Sequence, residues 1–484
     1  MTGSREDVLQ QIDFGNFVAE KEKNFTSIFV PTERVENEIL TSSPPDVVKG
    51  PKGSGKSAVF QLFSDHEEYL RDHYPEMFDI HDDEILIVSG SGQEDQLRKG
   101  LTEVDRSVDN FDPEQYWKLY FVIKIARSLK NNGHKLEGNL YELLQVTDES
   151  DSLRLAPVIK RLYNRIIGPS PDNIKTPIGD VPLDWDNINT SGLLDEEAEY
   201  LRDNDITIWL CVDRVDQIGD NREEMKEYVE GLFEAQIFLQ PINEIKPKVF
   251  VRTDIWSELH ITNQDYLETR RLRWENKELL TLINKRMMES DIVRKYIKEN
   301  MARNIDISNI LTYKQQTQKE IFNIVFVKQI AGGQTGSPTF DWMKKRVTNG
   351  KDDSYPRELI NFCKKAKNEQ QNMSDLPDES LIGESSLKNA LEEMSRKHVT
   401  TVLYSEFEDL ETHFDQLKGG ERKYTRSELE ELFKNMTPSG RDAIKRLYQI
   451  GLLKPQNDGG YTDTEFEIPL IYRQGLHIVT RGRK

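Results

Sequence analysis

The sequence predicts an α/β protein: a parallel sheet flanked by helices around a phosphate-binding loop, then a helical lid, then a C-terminal winged helix. Three observations predict it. Residues 47–63 read VVKGPKGSGKSAVFQLF, a short apolar strand, a glycine-rich turn and an amphipathic helix. Three apolar runs rich in β-branched residues, EILIVSG (84–90), ITIWLCVD (206–213) and VFV (249–251), suit strands covered on both faces. Beyond residue 272 the apolar residues recur at i, i+3 and i+4 instead, until a tail of two helices, a turn and a strand. The expected parts are an N-terminal segment packing near the nucleotide (1–45), a P-loop NTPase core (46–271), the lid (272–400), and a linker helix with the winged-helix module (401–484).

The turn at 50–58 carries the most chemistry. Gly50, Gly53 and Gly55 let consecutive backbone N–H groups face one anion, Lys56 adds an ammonium, and Ser57 a hydroxyl suited to Mg²⁺. The helix starting there turns its positive dipole end toward the same place. The whole loop, Gly50, Pro51, Lys52, Gly53, Ser54, Gly55, Lys56, Ser57 and Ala58, is therefore expected to line the phosphates of ATP. A bare glycine turn capping a helix would leave Lys56 without a reason.

Length and composition set outer bounds. A chain of 484 residues with 36% hydrophobic and 31% charged residues suits two to four globular domains. No run approaches the roughly 18 apolar residues of a membrane span, and the first residues, MTGSREDVLQQIDF, have no basic leader or apolar h-region. No membrane association is expected. Two cysteines, Cys211 and Cys363, support neither a disulfide framework nor a structural zinc site, and a reducing cytoplasm fits. The net charge of −20 argues against coating DNA with the whole surface. The last 64 residues nevertheless carry 12 Lys/Arg against 9 Asp/Glu, a local +3. Any nucleic-acid contact is expected there.

In chain order, IFVPTERVENEIL (28–40) reads as an extended piece, a break with Thr32 as N-cap and a short helix. Phe29, Val30 and Pro31 either lie over an adenine or simply pack. Asp112-Pro113 starts a helix whose aromatic face (Tyr116, Trp117, Tyr120, Phe121) is read as core. Residues 168–185, rich in Pro, Gly, Asp and Asn, are read as a surface excursion.

The run 206–213 delivers Asp213 to the C-terminal edge of the sheet, where open parallel sheets bind ligands. An acidic residue there is the expected holder of Mg²⁺ beside Ser57. Arg214, not a glutamate, follows it. Asp216 is then the best carboxylate to orient or deprotonate an attacking water, unless it caps the helix carrying Glu223, Glu224 and Met225. Arg252, at the same sheet edge with Thr253 and Asp254, is either a sensor of the γ-phosphate or half of an Arg252–Asp254 pair at the next helix. Farther on, Pro356 suits a first helical turn and Arg357 follows it, placed to reach back over the nucleotide from the lid.

In the tail, Thr425 caps a helix through Phe433. A second helix from Thr437-Pro438 ends at Gly451, a turn follows, and residues 466–472 are expected to be a strand. Arg441, Lys445 and Arg446 lie opposite the second helix's apolar face, open to DNA or simply solvated.

Together GPKGSGKS, CVDRVDQI, VFVRTDIW, LRW…L…L…R, YPRELINF and EIPLIYRQGL resemble a bacterial P-loop ATPase family related to the AAA+, STAND and origin-recognition ATPases and often encoded in defence or mobile-element loci. The resemblance implies ATP and Mg²⁺ as cofactors, with Lys56 and Ser57 on phosphate and metal, Asp213 on the metal, Arg252 as first sensor and Arg357 as second. It also implies ATP-driven homo-oligomeric assembly or a switch, and a separately encoded effector. The D-x-x-D of Asp213 and Asp216 is nearer the STAND pattern than the Asp-Glu of fast motors, so slow turnover is expected. A small-molecule kinase lacks a second compact pocket signature. GTP is disfavoured because no N-K-x-D motif occurs.

Overall fold

Five parallel strands form one sheet: β1 (Val47–Gly50), β2 (Glu84–Ser91), β3 (Ile206–Asp213), β4 (Ile245–Arg252) and β5 (Thr269–Arg271), in the order β2-β3-β4-β1-β5. The computed structural model describes residues 4–79, 84–92, 111–148, 190–302, 307–330 and 336–479. The excursion expected at 168–185 lies outside them. By packing, the described chain divides into two units, Glu33–Gly50 with Lys56–Leu272, and Met1–Thr32 with Pro51–Gly55 and Arg273–Lys484.

The first unit is the sheet and its helices. Because side chains alternate along a strand, each strand here offers one apolar set to each face. One set, including Ile208, Leu210, Val212, Val249 and Val251, packs into a continuous core with α2 (Pro113–Asn131), α3 (Thr190–Asp203) and α4 (Arg222–Leu239). The aromatic face of α2 lies in that core, and Trp117 Nε1 donates to Tyr228 O at 2.8 Å, satisfying its buried donor. The opposite set, Trp209 and Phe250, meets Phe60 and Phe63 of α1 (Lys56–Asp65) at ring-centroid distances of 5.7 to 6.3 Å. Asp213 follows Trp209 by four residues and Arg252 follows Phe250 by two. Period-two alternation therefore puts both on the face that α1 covers.

The second unit is helical. Residues 4–32 pack within it: Val8, Leu9, Ile12, Phe14 and Val30 join one core with α5 (Asn276–Met287), α6 (Thr339–Lys345), α7 (Pro356–Gln371) and α8 (Glu384–His398). Phe29 and Val30 are buried, and Lys285 Nζ donates to Phe29 O at 2.7 Å. Pro356 stands in the first turn of α7, where its missing N–H costs nothing.

The tail has its own core, in which Leu429, Ala443, Ile444, Leu447 and Phe466 take part. It contains β6 (Lys423–Thr425), α9 (Arg426–Leu432), α10 (Gly440–Gln449), β7 (Lys454–Pro455) and β8 (Glu465–Glu467), the strands antiparallel in the order β6-β8-β7. Thr425 caps α9 reciprocally with Glu428, as expected of that threonine. One expectation fails here. The strand foreseen over 466–472 stops at Glu467, and Leu470–Arg473 is a helical turn, α11, after Pro469. Proline gives no N–H to a ladder, and consecutive Ile471 and Tyr472 are both buried, which a half-exposed strand would not allow.

Candidate functional site

On the sheet side, α1 begins at Lys56, and its ammonium is buried, donating to Gly50 O at 2.9 Å. Burial pulls the Lys56 pKa down to about 8, against the opposing pull of Asp213, Asp216 and Asp254. Asp213, 2% exposed, hydrogen-bonds the Ser57 hydroxyl, and its Oδ2 is buried with no hydrogen-bond partner. Burial raises its pKa, with Ser57 and Lys56 opposing. Arg214 Nε approaches that oxygen no closer than 4.0 Å, and a buried carboxylate oxygen without a hydrogen bond, beside a hydroxyl, is what a hard cation would satisfy. Magnesium commonly takes one or two protein oxygens and completes its shell with phosphates and water. Ser57 and Asp213 fit that role, although no group of three or more His, Cys, Asp or Glu able to hold a metal occurs among the described residues.

Arg252 links the remaining carboxylates. Its Nε and Nη2 donate to Asp254 at 3.1 and 2.8 Å, and its Nη1 to Asp216 Oδ2 at 3.4 Å. Against the upward push of burial, Arg252 holds Asp254 down at about 2. The Arg252–Asp254 pair weighed from the sequence is therefore present, yet Arg252 makes no side-chain cap for the following turn. Asp216 does not cap α4 either: Asn221 does, accepting from Glu223 N and Glu224 N. Asp216 instead sits in a short turn after Arg214, whose φ of 59° re-aims the chain out of β3.

On the helical side, the loop residues Pro51–Gly55 are held by groups from distant sequence. Trp274 Nε1 donates to Ser54 O at 2.7 Å, and its ring would lie 3.6 Å from a Cβ added to Gly55. Arg357 N donates to Gly53 O at 3.4 Å, and a Cβ on Gly53 would meet the Arg357 Cβ at 3.1 Å. Gly53 and Gly55 have φ of 81° and 100°, a backbone that only glycine adopts without strain. Lys52 is ion-paired with Glu406. Sequence reasoning placed Arg357 here and missed Trp274 and Glu406. The signals for Trp274 were its place in the LRW run and just ahead of a charged helix, and Glu406 gave none.

The cations assigned to DNA are not equally exposed. Arg441 is paired with Glu430 at 3.0 Å, and Lys445 lies 5.9 Å from the Tyr461 ring. Arg446 has a side chain only 12% exposed, faces Asp409 at 3.6 Å and lies over Phe407. It is part of the tail's packing rather than an open contact.

A parallel sheet whose β1 runs through a GxxxxGKS turn into α1, with β4 between β1 and the Asp213 strand, is a P-loop NTPase α/β fold. No family model matches the sequence. Over 294 residues the chain is 24% identical to a putative transposon gamma-delta 80.3 kDa protein of Escherichia coli (strain K12), covering 57% of this chain and 39% of that protein. It thus spans well under half of that relative's length. Similar solved structures include a Walker-type ATPase of Pyrococcus abyssi, 11% identical, with TM-score 0.39 and 96% and 98% of the two chains covered. The ORC2 protein of Aeropyrum pernix in ADPNP–ADP complexes is 10% identical, with TM-score 0.37 and coverage of 90% and 86%. The ORC1 protein of the same organism in complex with DNA is 10% identical, with TM-score 0.31 and coverage of 98% and 92%. The fold class stands on this chain's own sheet order and loop.

Proposed function

We propose that this chain is an ATP-binding, slowly hydrolysing switch ATPase of the AAA+/STAND type, coupling nucleotide state to self-assembly and to engagement of a separate effector protein. The observation that carries it is the hold on the phosphate loop: Lys52, Gly53 and Ser54 are each tied to a residue from the lid or the segment leading into the tail. Phosphates entering such a loop compete for Lys52 and reshape the backbone that Trp274 and Arg357 grip. ATP then needs only to favour one arrangement of those elements, by about 1.4 kcal/mol for each tenfold shift in population.

In this reading the loop N–H groups and Lys56 hold the phosphates, and Ser57 with Asp213 holds Mg²⁺, which would neutralise charge on the phosphate oxygens. Asp216 orients the attacking water, and Arg252 senses the γ-phosphate. Slow turnover follows from the Arg252–Asp216 contact, because Asp216 must exchange that partner for water before it can act. The tail is read as a winged helix used for protein contacts, since two of its three proposed DNA cations are engaged in carboxylate pairs. A setting in mobile-element or anti-phage conflict is in keeping with the transposon protein among its relatives.

The test is ATP hydrolysis and light scattering on the same samples of wild type, Lys56→Ala and Asp216→Asn, with and without Mg-ATP. Wild type is expected to assemble with ATP, Lys56→Ala not to, and Asp216→Asn to assemble and stay assembled. If ATP changes neither size nor turnover in any of the three, the switch reading is wrong.

A further inference from the structure

A cavity of about 490 Å³ opens among α8, α11 and the residue that ends α6, all within the helical unit. This is the scale of a small-molecule site, about 300–1,000 Å³. Its lining is mixed, with Glu392, Gln474 and His477 as well as an apolar and a cationic set. Leu391, Leu470 and Ile478 supply an apolar side, and Arg346, Arg473 and Arg396 bring three guanidiniums to the same space.

Those charges are unevenly compensated. Arg396 is neutralised by Glu392 one turn away. Arg473 is paired with Glu467, but Arg422 approaches the same carboxylate at 3.6 Å, so one anion serves two cations. Arg346 has no carboxylate partner among the described residues. Its Nη1 donates to Trp342 O at 2.9 Å, its guanidinium lies 3.8 Å over the Trp342 ring, and its Nε is buried without a hydrogen-bond partner. Burial first, then the field of Arg473, pulls Arg346 down to about 10. Arg473 already donates from Nε to Ile468 O at 2.7 Å and from Nη2 to Glu467, leaving its Nη1; a dianion between the two arginines would offset their mutual repulsion and accept from that Nη1 and from Arg346.

We propose that this cavity is a second ligand site, for a phosphorylated small molecule of nucleotide size, its phosphate between Arg346 and Arg473 and its body against Leu391, Leu470 and Ile478. Inorganic phosphate alone leaves the apolar side unused. Because α11 and α8 both contribute, an occupant ties the end of the tail to the lid. The site stands apart from the phosphate loop and does not depend on the ATP reading.

The probes are AMP, GMP and inorganic phosphate, titrated without Mg²⁺ against the full chain carrying Lys56→Ala, which disables the phosphate loop. Intrinsic fluorescence reports the site because Arg346 stacks on Trp342, and Trp342→Phe assigns the signal. Saturable binding of a nucleoside monophosphate is expected, tighter than inorganic phosphate. Arg346→Gln and the cavity-filling Leu391→Trp should each weaken it at least about tenfold, roughly 1.4 kcal/mol, with circular dichroism and melting showing a folded chain. Arg346→Gln, on a partly buried residue at a helix end, keeps the test valid if Leu391→Trp misfolds. The proposal is overturned if no probe binds, or if folded variants bind like their background. It is also overturned if Arg346→Gln abolishes binding of duplex DNA while leaving AMP affinity unchanged, which would make the pocket a nucleic-acid contact.

Discussion

Lys56 shows how a single buried charge links folding to ligand. Its pKa is lowered from 10.5 to about 8, chiefly by burial, so between those values the folded chain binds fewer protons than the unfolded one. Its cost to stability is thus fully present below pH 8 and fades as pH rises toward 10.5. Phosphate charge placed beside Lys56 would pull the pKa back up. At pH 8 without Mg²⁺, ATP binding is therefore expected to take up roughly half a proton, seen calorimetrically as a heat that varies with the buffer's ionisation enthalpy. That dependence should vanish in Lys56→Met. The position of Lys56 at the start of a helix was legible from the GKS spacing. Its burial was not, because that depends on α1 packing over Trp209 and Phe250, far away in sequence.

Within elements, the glycine-rich loop is held by Arg357, which the sequence placed there, and by Trp274 and Glu406, which it did not. Gly53→Ala would place a methyl 3.1 Å from the Arg357 Cβ at a φ of 81°. The expected cost is about 1–3 kcal/mol, measured by urea unfolding, with ATP affinity falling because the loop can no longer keep its shape. Trp274→Phe should be milder, about 1 kcal/mol for the lost Nε1 hydrogen bond to Ser54. Strand positions were readable because β-branched runs have a distinctive pattern, and all eight residues of β3 are indeed buried. The tail's last strand was misjudged because a short apolar run, IPLIY, suits helix and strand alike. Pro469 and the space between Ser395 and the tail core settle it: Ser395 Oγ donates to Ile471 O at 2.7 Å.

For the molecule as a whole, coupling between nucleotide and tail should run through the Lys52–Glu406 ion pair. Glu406→Gln leaves the loop sequence intact, so ATP affinity should stay within about threefold. The ATP-dependent change in hydrogen-exchange protection of the tail should be lost. Retention of that change in Glu406→Gln would remove the ion pair from the mechanism.

The sequence by itself determined the fold class, the glycine-rich turn between β1 and α1 and the acidic strand end at Asp213, because those depend on local spacing: glycines at fixed intervals, a lysine before a helix, period-two strands. Only the tertiary structure decided what surrounds them. It joined Arg252 to both Asp254 and Asp216 and gave the cap of α4 to Asn221 instead of Asp216. It added Trp274 and Glu406 to Arg357 as holders of the loop and drew Arg446 into the tail's packing. Apart from the Arg252–Asp254 pair and the Asn221 cap, which are local, these contacts join residues tens to hundreds of positions apart, and which side chains meet follows from how helices and strands stack, not from the residues beside them in the chain.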